Sequence, residues 1–162
     1  MSRLGSFIRR LEAQRACLDL AASLIARLPG PVMEFGLGNG RSYDHLRLSL
    51  PERAIYVFER QVAAHPDSIP PADRLLLGDF RETAPAALAR FAGRVAIIHA
   101  DLGSGDEAQS RALAAWLVPH WLALLAPEGV LATDQPVEAP ELVPLALPPG
   151  VPESRYFMAR RG

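Results

Sequence analysis

Val32-Met33-Glu34-Phe35-Gly36-Leu37-Gly38-Asn39-Gly40 decides the fold of this chain. An apolar run carrying one acid breaks into glycines at alternate positions, as a buried strand does when it ends in a turn that lies against a ligand. Lacking a Cβ, glycine lets the backbone leave the strand sharply and approach a bound molecule, so a ligand touches main chain here. The spacing is E-x-G-x-G-x-G and not the G-x-G-x-x-G of dinucleotide turns. A nucleoside-bearing ligand is expected beyond the carboxyl end of this strand.

Upstream, Leu4, Phe7, Ile8, Leu11, Leu18, Ala21, Ala22, Ile25 and Leu28 recur at helical spacing, and Pro29-Gly30-Pro31 ends the run. The spacing predicts an amphipathic helix over 4–28 that packs on or caps the ligand site. Its stripe is interrupted at Gln14 and Arg15, which either face a ligand cavity or mark a helix leaving the core, with the arginine stem lying along apolar surface.

Downstream, a helix is expected over 41–50, followed by a buried strand over Ala54-Ile55-Tyr56-Val57-Phe58-Glu59. Leu75-Leu76-Leu77 ends at Gly78-Asp79-Phe80, and Val95-Ala96-Ile97-Ile98-His99-Ala100 ends at Asp101. Helices are expected over 82–91 and 106–125, and a fifth strand over 129–134, entered through Ala126-Pro127-Glu128-Gly129. Alternating strands and helices imply an α/β fold, Rossmann-like, with a mostly parallel central sheet and helices on both faces. Two tail segments, 142–147 and 155–160, read as closing strands with the last one antiparallel, and the helix normally found between strands five and six is eroded.

Ligands of such sheets bind beyond the carboxyl ends of the strands, where strand order reverses. The acids fall there. Glu59, 23 residues beyond Gly36, suits a carboxylate accepting both ribose hydroxyls, with Arg60 beside it. Asp79 after Gly78 is placed to accept from an adenine amine, with Phe80 offering its amide or an apolar face. Asp101, followed by Leu102, ends strand four next to the reacting centre. Glu34 either contacts the ligand or holds the glycine turn through backbone amides. Tyr43, one turn into the following helix, is a candidate for the far end of the ligand. Asp44 and His45 belong to the exposed or half-buried side of that helix. His99 is expected as a hydrogen-bonded core histidine, and His120 and both tryptophans as core residues.

The chain has 162 residues, one domain's worth, with 49% hydrophobic residues and a formal net charge of −1. That balance gives no electrostatic reason for a nucleic-acid partner. Every side-chain cation other than histidine is arginine, so lysine Schiff-base chemistry and the phosphate-binding lysine of a P-loop are both excluded. Cys17 is the lone cysteine, which precludes an intramolecular disulfide and a cysteine-rich zinc site. The amino terminus has no unbroken apolar signal-peptide run, and no segment approaches the roughly 20 apolar residues of a membrane span, so a cytoplasmic chain off the membrane is expected. Homo-oligomerisation through the first helix or a sheet edge is compatible with this size.

In their order and spacing, these pieces resemble the class I S-adenosylmethionine (SAM)-dependent methyltransferases over nearly the whole chain. Glu34 to Gly40 matches that family's first motif, Glu59 its ribose acid, Gly78-Asp79-Phe80 its adenine-side motif and Asp101 the acid after its fourth strand. More narrowly, Gly36-Leu37-Gly38-Asn39-Gly40-Arg41-Ser42-Tyr43-Asp44-His45-Leu46, with Gly78-Asp79-Phe80-Arg81-Glu82-Thr83 and His99-Ala100-Asp101-Leu102-Gly103, is similar to a small bacterial family of methyltransferases. The resemblance implies SAM as cofactor, bound by Glu34, Gly36, Leu37, Gly38, Gly40, Tyr43, Glu59, Arg60, Gly78, Asp79, Phe80, Asp101 and Leu102. It implies methyl transfer to an acceptor, with Asp101 as the candidate catalytic carboxylate, for electrostatics or proton acceptance. The run Asp101-Leu102-Gly103-Ser104 stands where many DNA amino-methyltransferases carry N-P-P-Y or D-P-P-Y, which favours a small-molecule or protein-side-chain acceptor, the small molecule first. No resident metal is expected, although Asp101, Asp134 and Gln135 are placed like the Mg²⁺ ligands of catechol-type O-methyltransferases. The alternatives are a non-catalytic module that binds SAM or its demethylated product S-adenosylhomocysteine (SAH), and an NAD-linked oxidoreductase.

Overall fold

The computed structural model describes residues 2–162. Seven strands form one sheet: β1 (Val32–Phe35), β2 (Ile55–Glu59), β3 (Leu75–Leu77), β4 (Val95–Ala100), β5 (Leu125–Thr133), β6 (Leu142–Pro144) and β7 (Phe157–Arg161). Their order across the sheet is β3-β2-β1-β4-β5-β7-β6. The first five lie parallel, and β7 runs antiparallel between β5 and β6. Helices α1 (Arg3–Leu24) and α2 (Arg41–Ser49) cover one face, and α3 (Phe80–Phe91) and α4 (Glu107–Leu124) the other. The expected doubly covered α/β sheet with an antiparallel last strand is what forms.

All four residues of β1 are buried, and their alternation divides the core in two. Met33 and Phe35 join Phe58, Phe91, Leu117 and Trp121 beneath α3 and α4. Val32 joins Leu18, Ile25, Leu46, Val57 and Ile97 beneath α1 and α2. Phe35 stacks on Phe58 with centroids 4.1 Å apart and takes the edge of Trp121 at 5.8 Å. Each such ring contributes about 2 to 3 kcal/mol by leaving water.

Several boundaries differ from expectation. Helix α1 ends at Leu24, where Arg53 reaches across to donate to the carbonyls of Ile25, Leu28 and Gly30 and so satisfies the chain after the last turn. Helix α3 starts two residues early because the Asp79 side chain caps it by accepting from the Arg81 N–H. Strand β5 starts at Leu125, which pairs with Val95; the turn expected before the strand is a bulge within it, with Glu128 at φ 67°. No helix forms between β5 and β6, as the eroded sequence there implied. Trp121 is fully buried, whereas Trp116 and His120 are half-buried and stack on one another, centroids 4.3 Å apart. They sit where α4 turns from the sheet towards solvent.

Candidate active site

Sheet register assembles the site. Phe35 pairs with Phe58 and with Ala100, Glu59 with Leu77, and Ala100 with Thr133. One residue further on, Glu59, Gly36, Asp101 and Asp134 therefore lie in a row across the carboxyl edge of four adjacent strands. Strand order reverses between β1 and β4, in the middle of that row.

The glycine turn fits into this row for two separate reasons. Gly36 has φ +94°, and a Cβ there would stand 2.7 Å from the Asp101 carbonyl oxygen, so its glycine lets β1 and β4 converge. Gly38, at φ +51°, has no protein atom within 4 Å of where a Cβ would lie. Its missing side chain leaves room for a ligand.

Two cavities meet over Gly36, Gly38, Asp101 and Gly103. One, of about 540 Å³, is walled by Glu59, Asp79, Phe80, Leu102, Ser110 and Leu113. The other, of about 430 Å³, runs beneath α1 and is walled by Phe7, Arg10, Leu11, Gln14, Leu37 and Ser42. Phe7, Arg10, Leu11 and Gln14 are spaced as one helical face, which is how the interrupted stripe of α1 comes to line a cavity. Arg15, the other interrupting residue, is exposed.

Every carboxylate of the row already has partners. Glu59 Oε2 accepts from the N–H groups of Leu37 and Gly38 at 2.8 and 3.2 Å, and Oε1 from those of Arg60 and Gln61 at 2.7 and 3.2 Å. The expected ribose acid thus also holds the glycine turn against β2, the role the sequence had offered to Glu34. Asp79 accepts from the Arg81 N–H and, at 2.9 Å, from the Arg60 guanidinium. These two contacts, the amide first, hold its carboxyl below the usual range. Asp101 takes Arg10 at 2.6 Å on Oδ1 and Gln14 Nε2 at 3.1 Å on Oδ2. Asp134 accepts from the Leu102 N–H at 3.0 Å and from the Gln135 amide at 3.2 Å. Burial raises the Asp134 pKa, aided by the charge of Asp101 and opposed by the Leu102 amide.

Two expected ligand residues lie elsewhere. Tyr43 packs into the apolar layer with Cys17, Leu46 and Val57, because its place on α2 points at the sheet. Glu34 is fully buried on the same side, taking the Ser42 hydroxyl and His99 Nδ1 and making no bond to the turn's amides. Gly40 begins α2, its Cα turned to Ser68 and Ala64, and Gly78 donates to the Glu59 carbonyl, so both shape turns. His99 is the fully buried, hydrogen-bonded core histidine expected. Asp44 and His45 are half-buried, paired with Arg47 and Asp19. Of the oxygen set considered for a divalent cation, Asp134 Oδ2 and Asp101 Oδ1 both flank Gly103, but Gln135 turns its donor NH₂ to Asp134. Arg10, Ser104 and Ser110 were not singled out from sequence. Small polar residues in the loop after β4 are a signal that could have found Ser104; Ser110 lies on α4 and carried none.

A turn of glycines, an acid at the next strand end and a second acid across the switch point fit a nucleoside cofactor lying along the edge, and together with the sheet order they define a class I SAM methyltransferase fold. A family model described as S-adenosyl-L-methionine methyltransferase matches residues 1–161, and the chain belongs to that family. The crystal structure of an S-adenosyl-L-methionine methyl transferase from Silicibacter pomeroyi is 47% identical, with a TM-score of 0.95 over 100% of this chain and 99% of the other. TrmN from Thermus thermophilus (17% identity, TM-score 0.58, 90% of this chain and 48% of that one) shares the fold. So does the plantazolicin methyltransferase BpumL in complex with SAH (14%, 0.51, 78% and 46%). Among curated proteins none matches. SAM is thus the cofactor, and NAD is set aside. No helix is long and apolar enough to cross a membrane among the described residues.

Proposed function

We propose that the chain transfers the methyl group of SAM to a small-molecule acceptor, with the nucleoside in the larger-walled cavity beside Glu59 and the methionine end and acceptor beneath α1. The row Glu59, Gly36, Asp101 across adjacent strand ends carries this reading. Glu59 lines that cavity and accepts only, which suits ribose hydroxyls that take a share of its oxygens alongside the backbone amides. Leu102 and Phe80 offer apolar walls to the base, with Asp79 and Arg60 at its rim. Bound SAM supplies an electrophilic methyl group on a positively charged sulfur. Asp101 lies at the junction of the two cavities, where its carboxylate, its charge partly offset by Arg10, faces that sulfur and stands within reach of the acceptor. Asp134, its neighbour along the row, holds a proton more firmly than an exposed aspartate and is the second candidate to receive the acceptor's proton. The size of the cavity under Phe7 and Leu11, about 430 Å³, favours a small acceptor over a macromolecular one.

Calorimetric titration with SAM and SAH, using Glu59→Ala as control, tests the site: binding at least ten-fold weaker in the variant is expected, the size of a lost charge-assisted contact. Incubation with methyl-labelled SAM and separated metabolite, protein and RNA fractions tests the acceptor. Label in the metabolite fraction is expected. Label confined to protein or RNA overturns the small-molecule reading, and tight binding with no transfer to any fraction makes the chain a cofactor-binding module.

A further inference from the structure

Behind Asp101 runs a buried polar chain that borders the cavity beneath α1 only at Gln14 and Ser42. Gln14 Nε2, which donates to Asp101, also stands 3.4 Å from the Tyr156 hydroxyl. That hydroxyl meets His99 Nε2, His99 Nδ1 lies 3.2 Å from Glu34 Oε1, and Glu34 takes the Ser42 hydroxyl. Glu34 and His99 are direct register partners on β1 and β4, which places them side by side on the α1/α2 face. Tyr156, just before β7, enters from the tail and is fully buried.

Donor and acceptor chemistry fixes the direction of this chain. A carboxylate only accepts, so Gln14 must turn its NH₂ to Asp101, and the second hydrogen of that NH₂ then points to the Tyr156 oxygen. Having accepted there, Tyr156 donates its single hydrogen to His99 Nε2. His99 accordingly carries its hydrogen on Nδ1, facing Glu34. The chain ends on a carboxylate at both extremes, Asp101 at the cavity and Glu34 in the core. Gln14 cannot rotate without stranding Tyr156, and Tyr156 cannot move without stranding His99, each at the cost of an unpaired buried group.

We infer that Gln14 and Tyr156 are positioning residues that hold the Asp101 carboxylate against the cofactor's sulfur and so make the site favour positively charged SAM over its neutral product SAH. The inference rests on the reading that Asp101 faces that sulfur. Arg10 alone fixes one oxygen and leaves the carboxylate free to swing about that contact; Gln14 supplies the second anchor. Once the methyl group has left, the sulfur is an uncharged thioether and the attraction to Asp101 lapses, which favours product exchange.

The ratio of SAH to SAM dissociation constants, measured by calorimetry, reads out the potential at the sulfur and is indifferent to general loosening, which weakens both ligands alike. Asp101→Asn should collapse the ratio. Gln14→Met, nearly isosteric, should lower it about ten-fold and Tyr156→Phe about three-fold, the range of one direct and one relayed hydrogen bond to a charged group. A ratio within two-fold of the parent in Gln14→Met, while Asp101→Asn lowers it, overturns the positioning role. A ratio unmoved by Asp101→Asn shows that this carboxylate does not face the sulfur, and both readings fall. Should Tyr156→Phe melt early, Gln14→Met decides alone, since its side chain lines the cavity and leaves the core packing in place.

Discussion

Glu59 shows how one side chain serves two needs. Four backbone N–H groups converge on its two oxygens, so the acid proposed to hold the ribose also pins the glycine turn against β2. Gly38 is the converse case, a residue whose contribution is empty space. Gly38→Ala is expected to cost about 1 to 2 kcal/mol of stability for the left-handed backbone. The same change should weaken SAM about ten-fold by overfilling the cavity. Thermal melts and titrations check the two numbers separately, and equal binding in the variant removes Gly38 from the ligand path. Cys17 offers a test without a ligand. Burial pushes its thiol from near 9 to about 11, so the native chain keeps a proton that the unfolded chain releases between those values. Stability from this group therefore falls as pH rises through that window, and the slope of unfolding free energy against pH should steepen there relative to Cys17→Ala. At pH 8 the native thiol should resist alkylation that the unfolded chain undergoes readily.

Helix α1 is two devices in one length of chain. From Ala13 onward it buries Cys17, Leu18 and Ala21 in the core, while its first turns leave Leu4, Phe7 and Ile8 exposed and set Phe7, Arg10 and Leu11 over a cavity. A chain shortened to begin at Glu12 should thus still unfold cooperatively, losing on the order of 1 kcal/mol because few buried groups are removed. It should bind SAM distinctly more weakly, because Asp101 loses Arg10. Circular dichroism melts and calorimetry distinguish this from the alternative, a collapse of the fold, which would mean that the first turns belong to the core. Asp79 illustrates a similar double use at the start of α3, where capping and pairing with Arg60 depress its pKa. What it adds to stability is present above the ordinary aspartate pKa and is lost as pH falls through its lowered native value.

Across the whole molecule, sheet order turns four separate strand ends into one site, and the antiparallel tail closes the sheet and delivers Tyr156 behind it. Much of this was legible beforehand. Val32 to Gly40, the apolar runs ending at Glu59, Leu77 and Ala100, and the helical stripe of α1 are patterns among near neighbours, and hydrophobic period together with glycine's freedom fixes what such patterns become. Those patterns, with the strand-end acids, determined the α/β class and the sheet edge that carries the candidate site. They were silent on direction and partner. Whether Glu34 points to the ligand or to His99, or Tyr43 to the cavity or to the sheet, depends on which face of the strand or helix meets which layer. A short Rossmann-type strand buried on both faces carries no polar alternation to reveal it. The distant partners of these carboxylates, Leu37 and Gly38 on Glu59, Arg10 and Gln14 on Asp101 and Leu102 on Asp134, were likewise set by tertiary structure. Gln14 and Tyr156 stand 142 positions apart, and only the order and register of the strands between them bring an amide, a phenol and a histidine into one hydrogen-bonded line.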